Sequence, residues 1–174
     1  MRQLYLLRHA KSSWDQPGGA DFDRPLNKRG QKAAAVLNDY LLAQSIQPEL
    51  VLCSPAARTR ETCEALAPAL KHSAIRHERT IYEAAPEQLL ALLRRVPADV
   101  GSVMMIGHNP GLEQLSRLLL DPANPGETDA LTLLREKFPT GALAEFDVTA
   151  SWPALGERTS ALRRFIRPID LEAE

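Results

Sequence analysis

Arg8 and His9 follow directly on the apolar run Leu4-Tyr5-Leu6-Leu7. So short a run reads as a buried strand. The first polar side chains after it then stand at the strand's carboxyl end, where open α/β sheets bind their ligands. An imidazole beside a guanidinium at that place suggests a nucleophile next to an anion clamp; the alternative is a surface pair where a strand leaves the core. The theme recurs twice. Leu50-Val51-Leu52-Cys53 runs into Ser54-Pro55, with Arg58 in the first turn of the helix that follows, and Val103-Met104-Met105-Ile106 runs into Gly107-His108-Asn109-Pro110-Gly111. Parallel strands would put all three ends on one sheet edge. Two imidazoles and two guanidiniums would converge there with two helix N-termini, each bringing free N–H groups and a partial positive charge. Such parts make a phosphate site.

The elements that must position these residues can be read from periodicity. Residues 3–7 form the first strand, and Gln16-Pro17-Gly18-Gly19 is a turn or loop. Asn27 caps a helix running to about Gln44, with Ala33, Val36, Leu37, Tyr40 and Leu41 at helical spacing. Ser54-Pro55 reads as N-cap and first residue of a helix whose Cys63, Leu66, Ala67 and Leu70 share a face. A third strand is expected around Ala74–Tyr82. Pro86 opens a helix carrying Leu89, Leu92, Leu93 and Val96, and Asn109-Pro110 opens another carrying Leu112, Leu115 and Leu119. Asp121–Thr128, rich in Pro, Asn, Asp and Gly, is a loop. Ala142–Val148 and Ser160–Ile166 are two further strands with no long helix between them. Strands alternating with helices predict a three-layer α/β/α sandwich on a mostly parallel sheet, and the tail adds at least one antiparallel edge strand. No linker or repeat interrupts this pattern, so a single domain over residues 1–174 is expected.

Composition narrows the function classes. The chain has 174 residues, 44% hydrophobic and 25% charged, enough for one globular core. A net charge of −1 provides no global basic field, which argues against a nucleic-acid or membrane partner and requires any anion site to be local. No apolar stretch approaches the roughly 20 residues of a membrane span. Arg8, His9 and Lys11 interrupt the only apolar run near the N-terminus, so no signal peptide is expected. Two cysteines, Cys53 and Cys63, form no disulfide framework and read as reduced core residues of a cytoplasmic protein, a Cys53–Cys63 pair being the alternative. No cluster has metal-ligand spacing and no Walker-type loop is present, so neither a metal nor an organic cofactor is expected. Without a sustained apolar heptad, a monomer is the default expectation.

The motifs, taken in order, resemble the histidine phosphatase (phosphoglycerate mutase-like) superfamily. Leu6-Leu7-Arg8-His9-Ala10 resembles its Arg-His-Gly signature, with Ala10 in the glycine's place. Pro25-Leu26-Asn27-Lys28-Arg29-Gly30 resembles the segment after it, Ser54–Thr62 the segment bearing the second arginine, and Gly107-His108-Asn109 the second-histidine motif. Arg8-His9-Ala10-Lys11-Ser12, Asp23-Arg24-Pro25-Leu26, Phe138-Pro139-Thr140-Gly141 and the small size most resemble the short phosphohistidine phosphatases of the SixA type. The resemblance implies a phosphoglycerate mutase-like fold and a metal-independent phosphatase. His9 would be the nucleophile that becomes phosphorylated. It must be neutral, so one ring nitrogen needs a hydrogen-bond acceptor. Arg8, Arg58 and a bound-state proton on His108 would keep His9 unprotonated and stabilise the transferring phosphoryl oxygens.

Glu83, in Ile81-Tyr82-Glu83, stands where many members place their acidic residue, but Ala84-Ala85-Pro86 departs from the pattern that usually follows. Glu83 is therefore a candidate proton donor, or else a surface or capping carboxylate. Lys11, Ser12, Arg24 and Asn109 are candidate substrate contacts. Trp14 and Trp152 read as packing residues, Trp14 alternatively as a pocket wall, and His72 and His77 as surface residues. The expected substrate is a phosphohistidine-bearing protein. The alternatives are a small phosphorylated metabolite, or a phosphate-binding module without turnover.

Overall fold

The computed structural model describes residues 1–15 and 18–172, so Gln16 and Pro17 of the expected turn lie outside the described residues. Six strands form one sheet: β1 (Arg2–Arg8), β2 (Leu50–Cys53), β3 (Ala74–His77), β4 (Ser102–Gly107), β5 (Leu143–Val148) and β6 (Ser160–Ile166), in the order β3-β2-β4-β1-β5-β6. β1, β2, β3 and β4 are mutually parallel. β5 runs antiparallel to β1, and β6 pairs antiparallel with β5 at the sheet edge.

Strand alternation sends side chains to two faces. Leu4 and Leu6 of β1, with Leu52 and Met105, meet α3 (Pro86–Arg94), α4 (Gly111–Leu119) and α5 (Thr128–Glu136). Tyr5 and Leu7, with Val51 and Ile106, meet α1 (Lys28–Ala43) and α2 (Ala57–Ala65). The short α6 (Pro168–Glu172) packs on α1. The result is the expected α/β/α sandwich. Helices α1, α3, α4 and α5 contribute buried leucines, such as Leu112, Leu115 and Leu119 of α4, all fully buried, and each such leucine contributes about 1.5–3 kcal/mol. Among the described residues no helix is long and apolar enough to cross a membrane.

Three sequence expectations need correction. The helix after β2 starts at Ala57, not Pro55: the Ser54 hydroxyl faces His108 at 2.8 Å and accepts from Ala56 N–H at 3.3 Å, which keeps the chain extended for two more residues. The third strand ends at His77, because an exposed edge strand gives way to a tight turn at Arg79–Ile81 that buries only Ile81. Helix α5, absent from the expected elements, begins at Thr128, the last residue of the expected loop, and buries Leu131 and Leu134.

The loop after β1 is pinned to the start of α1. Asn27 caps the helix by accepting from Gly30 N–H at 2.8 Å, and its own N–H donates to the Lys11 carbonyl at 3.0 Å. Gly30 is buried against that carbonyl, and a Cβ there would collide with the Lys11 backbone. Gly30→Ala is therefore expected to cost about 1–3 kcal/mol through overpacking. Thermal unfolding should register this as a fall of about 2–4 °C per kcal/mol; an unchanged melting temperature would show that the loop yields freely.

Candidate active site

Parallel pairing places the carboxyl ends of β1, β4 and β2 side by side, and backbone bonds lock them together. His9 N–H donates to Gly107 at 3.1 Å, and Ser54 N–H donates to Ile106 at 3.0 Å. From the other side Gly141 donates to the carbonyls of His9, at 2.9 Å, and Arg8, at 3.1 Å. Gly141 does so at φ +76°, a conformation side chains disfavour. Arg8, His9, Arg58 and His108 consequently line one pocket of about 430 Å3.

His9 is 5% exposed. Its Nδ1 lies 2.7 Å from the Ala10 carbonyl, which can only accept, so Nδ1 carries the proton and Nε2 the lone pair. Burial, then the charges of His108, Arg58 and Arg8, lower the pKa to about 3 against the opposing pull of the Ala10 carbonyl. The imidazole is thus neutral near pH 7, and burial does more to keep it so than the cationic surround does. Ala10 itself is held in place, its N–H donating to the Thr62 hydroxyl at 3.0 Å while that hydroxyl donates to the Arg58 carbonyl at 2.7 Å.

The two arginines and the second imidazole are held by the protein through some atoms and not others. Arg8 Nη1 donates to the Phe138 carbonyl at 3.0 Å. Arg58 donates to the Asp21 carbonyl at 2.7 Å and to its carboxylate at 3.0 Å. His108 Nε2 pairs with Ser54 Oγ, its ring lies 5.4 Å from that of His9, and burial followed by the Arg58 charge lowers its pKa to about 4. Arg8 Nε, Arg58 Nε and His108 Nδ1 are buried and have no hydrogen-bond partner among the described residues. Unpaired buried polar atoms are costly, and all three belong to residues that line the pocket with His9.

Asp21 is a site residue that the sequence did not disclose. Its carboxylate accepts from Tyr82 at 2.6 Å, Arg58 at 3.0 Å and Arg24 at 2.9 Å. The Tyr82 hydrogen bond first, then Arg58, hold its pKa below the ordinary value. Tyr82 in turn stands edge-on to His108, with ring centroids 5.4 Å apart. Arg24 is a local partner, three positions on, but Arg58 and Tyr82, which tie Asp21 to the site, lie 37 and 61 positions away along the chain, so no local motif marks its role.

The other candidates divide. Lys11, Ser12, Arg24 and Asn109 line the pocket with His9. Arg24 bonds the Ser12 hydroxyl, and Asn109 donates to the Phe138 carbonyl at 2.9 Å. Glu83 is exposed and lines a separate cavity of about 390 Å3 that shares His108 and Asn109 with the first. Trp152 is fully buried, as a packing residue should be, but Trp14 is 79% exposed, stacked on Arg24 at the pocket wall. His72 and His77 are exposed. No group of three or more His, Cys, Asp or Glu suited to a metal occurs among the described residues.

Comparison with known proteins agrees with this constellation. The sequence model of the histidine phosphatase superfamily (branch 1) matches residues 4–115, the stretch holding His9, Arg58 and His108. An uncharacterized protein of Mycobacterium tuberculosis is 34% identical over 168 residues, covering 93% of this chain and 99% of the relative. Among solved structures, a candidate phosphohistidine phosphatase SixA from Nakamurella multipartitia aligns with a TM-score of 0.83 and 29% identity over 97% of this chain and 96% of its own. A second candidate SixA, from Agrobacterium tumefaciens, aligns with a TM-score of 0.78 and 34% identity over 96% and 98%. With the family model spanning most of the chain and the histidines and arginines gathered in one pocket, this protein belongs to the histidine phosphatase superfamily.

Proposed function

We propose that this chain is a metal-independent phosphatase that works through a phosphohistidine on His9 and takes phosphohistidine in a protein as substrate. One observation carries the reading: a buried imidazole is held neutral, with Nδ1–H tied to Ala10 and Nε2 left without a partner among the described residues, in a pocket walled by Arg8, Arg58 and His108. Anion binding alone needs no neutral imidazole at its centre, whereas nucleophilic attack does.

In the proposed reaction the Nε2 lone pair forms a P–N bond as the substrate's P–N bond breaks, and the departing electron pair stays on the leaving ring nitrogen, which takes up a proton. Arg8, Arg58 and His108 donate to the phosphoryl oxygens as charge spreads over them. Water then attacks the phosphohistidine, releasing inorganic phosphate and returning His9 to its neutral form. Glu83 is the proposed proton source, acting from the cavity next to His108. An imidazole leaving group, with an ordinary pKa of about 6.5, demands less of that donor than an alkoxide would. Lys11, Ser12, Arg24 and Asn109 are the proposed substrate contacts. We further propose that the whole chain is one such domain, since β5 and β6, beyond the matched region, complete the sheet around β1. Two buried, unbridged cysteines favour a cytoplasmic location.

The decisive experiment is phosphate release from a chemically phosphorylated histidine protein in EDTA, comparing wild type with His9→Ala. Wild-type release that falls to background in the variant is expected; turnover of an aryl phosphate but not of the phosphoprotein would indicate a small-metabolite phosphatase instead. Nitrogen NMR of His9 should show the neutral, Nδ1-protonated ring persisting down to pH 5, because its pKa is about 3. Protonation with a midpoint at the ordinary 6.5 or so would contradict the buried-nucleophile account. The same depression predicts that the unfolded state binds the extra proton first. This contribution to stability is complete above the unfolded value and declines as pH falls towards the folded one. Asp21→Ala, which unclamps Arg58, is expected to lower kcat/KM by up to about 100-fold through misplacement alone. Unchanged kinetics in a normally melting variant would remove Asp21 from the positioning apparatus.

A further inference from the structure

Beside the His9 pocket lies a second groove of about 440 Å3, and Lys11 and Thr140 line both. This volume is in the range of pockets that hold organic ligands, yet none of the proposed chemistry uses it. Its floor is apolar, made by Leu133 of α5 and by Pro168 and Ile169 of α6. Ile169 is 63% exposed, one of only a few large hydrophobic side chains left in the open among the described residues. Another of these, Trp14, stands on the wall of the catalytic pocket itself. Met1, Leu42 and Ile75 are exposed elsewhere, but Ile169 and Trp14 are the two most exposed besides the N-terminal Met1, and both stand at these adjoining openings, where an exposed apolar surface suits an interaction.

The rim carries charge of a definite kind. Lys11, Arg29 and Lys137 line the groove and enter no ion pair among the described residues. Arg167 also faces it but is neutralised by Asp170 at 2.7 Å. Glu136 and Glu172 provide the opposing carboxylates, leaving a surplus of positive charge. Thr140 lines both groove and pocket, and two residues before it the Phe138 carbonyl holds both Arg8 and Asn109. An occupant of the groove therefore rests on the same strip of backbone that positions the anion clamp.

We propose that this groove is the docking site for the polypeptide flanking the substrate's phosphohistidine. It would accept a segment that turns apolar side chains onto Leu133 and Ile169 and carboxylates toward Lys11, Arg29 and Lys137. The proposal rests on the reading of the substrate as a protein, and it adds which sequences around the phosphohistidine are preferred. Continuity with the catalytic pocket, the bare apolar floor and the cationic rim all favour this occupant over a second copy of the chain or a free metabolite.

The test compares three substrates phosphorylated on histidine with phosphoramidate. They are N-acetylhistidine, a peptide with leucine and glutamate around its single histidine, and the same peptide with serine and lysine in those places. Wild type, Ile169→Glu and Arg29→Glu are assayed, with Ile75→Glu on the distant edge strand β3 as the surface control. Wild type is expected to show a KM about tenfold lower for the leucine–glutamate peptide than for the serine–lysine one, the size of a modest interface contact. Both groove variants should erase that preference while kcat, and the kinetics on N-acetylphosphohistidine, stay at wild-type values. Ile75→Glu should behave as wild type. The proposal is overturned by a wild type with no preference, by a preference that survives both groove variants, or by an equal loss on N-acetylphosphohistidine. A wild type active on an aryl phosphate but on none of the three would instead refute the phosphohistidine reading beneath it. A dimer in sedimentation that Ile169→Glu dissociates would assign the groove to a second copy of the chain and also overturn the proposal.

Discussion

Strand β1 is bonded on one side to β4 in parallel and on the other to β5 in antiparallel register, and the catalytic edge depends on that double pairing. The parallel partner brings Gly107 and His108 level with Arg8 and His9. The antiparallel partner brings the chain just before it, Phe138 to Gly141, back across the same edge, where Phe138 takes up Arg8 and Gly141 takes up the carbonyls of Arg8 and His9. Had β5 run parallel, its preceding loop would have met the opposite end of the sheet. The reversal of one strand thus encloses the nucleophile with backbone from both directions.

Electrostatically the site is local by construction. The chain as a whole carries a net charge of −1, so attraction for a phosphoryl group must come from a few groups placed close together. Packing cations around a histidine risks a field that nothing in the free protein balances. Asp21 answers that risk on the outer side, accepting from Arg24, Arg58 and Tyr82 at once. Its carboxylate orients the Arg58 fork while leaving Nε unpaired. Burial supplies the rest, lowering both imidazoles below the physiological range.

Much of this was legible in the sequence because it is local. The apolar runs at β2 and β6 have the bounds their composition suggests, and Asn27 caps α1 as its position implies. The convergence of Arg8, His9, Arg58 and His108 followed from parallel strands alone. What escaped was non-local. Ser54 looked like a helix cap because Ser-Pro normally is one, but tertiary contact with His108 claimed its hydroxyl. Asp21 and Tyr82 look ordinary until folding brings them together with Arg58. Trp14 read as a packing residue or a pocket wall, and it stands at the wall, since hydrophobic character alone does not distinguish a packed side chain from one exposed at a pocket.

The group that orients His9 is a carbonyl of the main chain, that of Ala10, and not a side chain. Every residue type brings the same oxygen, so no exchange of a single amino acid can delete this acceptor. The genetic vulnerability of the nucleophile is displaced elsewhere, to the positions that hold that stretch of backbone still: Thr62, which anchors the Ala10 amide, and Gly141, which caps the His9 carbonyl. Variation at position 10 itself, where a small alanine is fully buried, is limited by the space available to a side chain and not by the chemistry the backbone performs there.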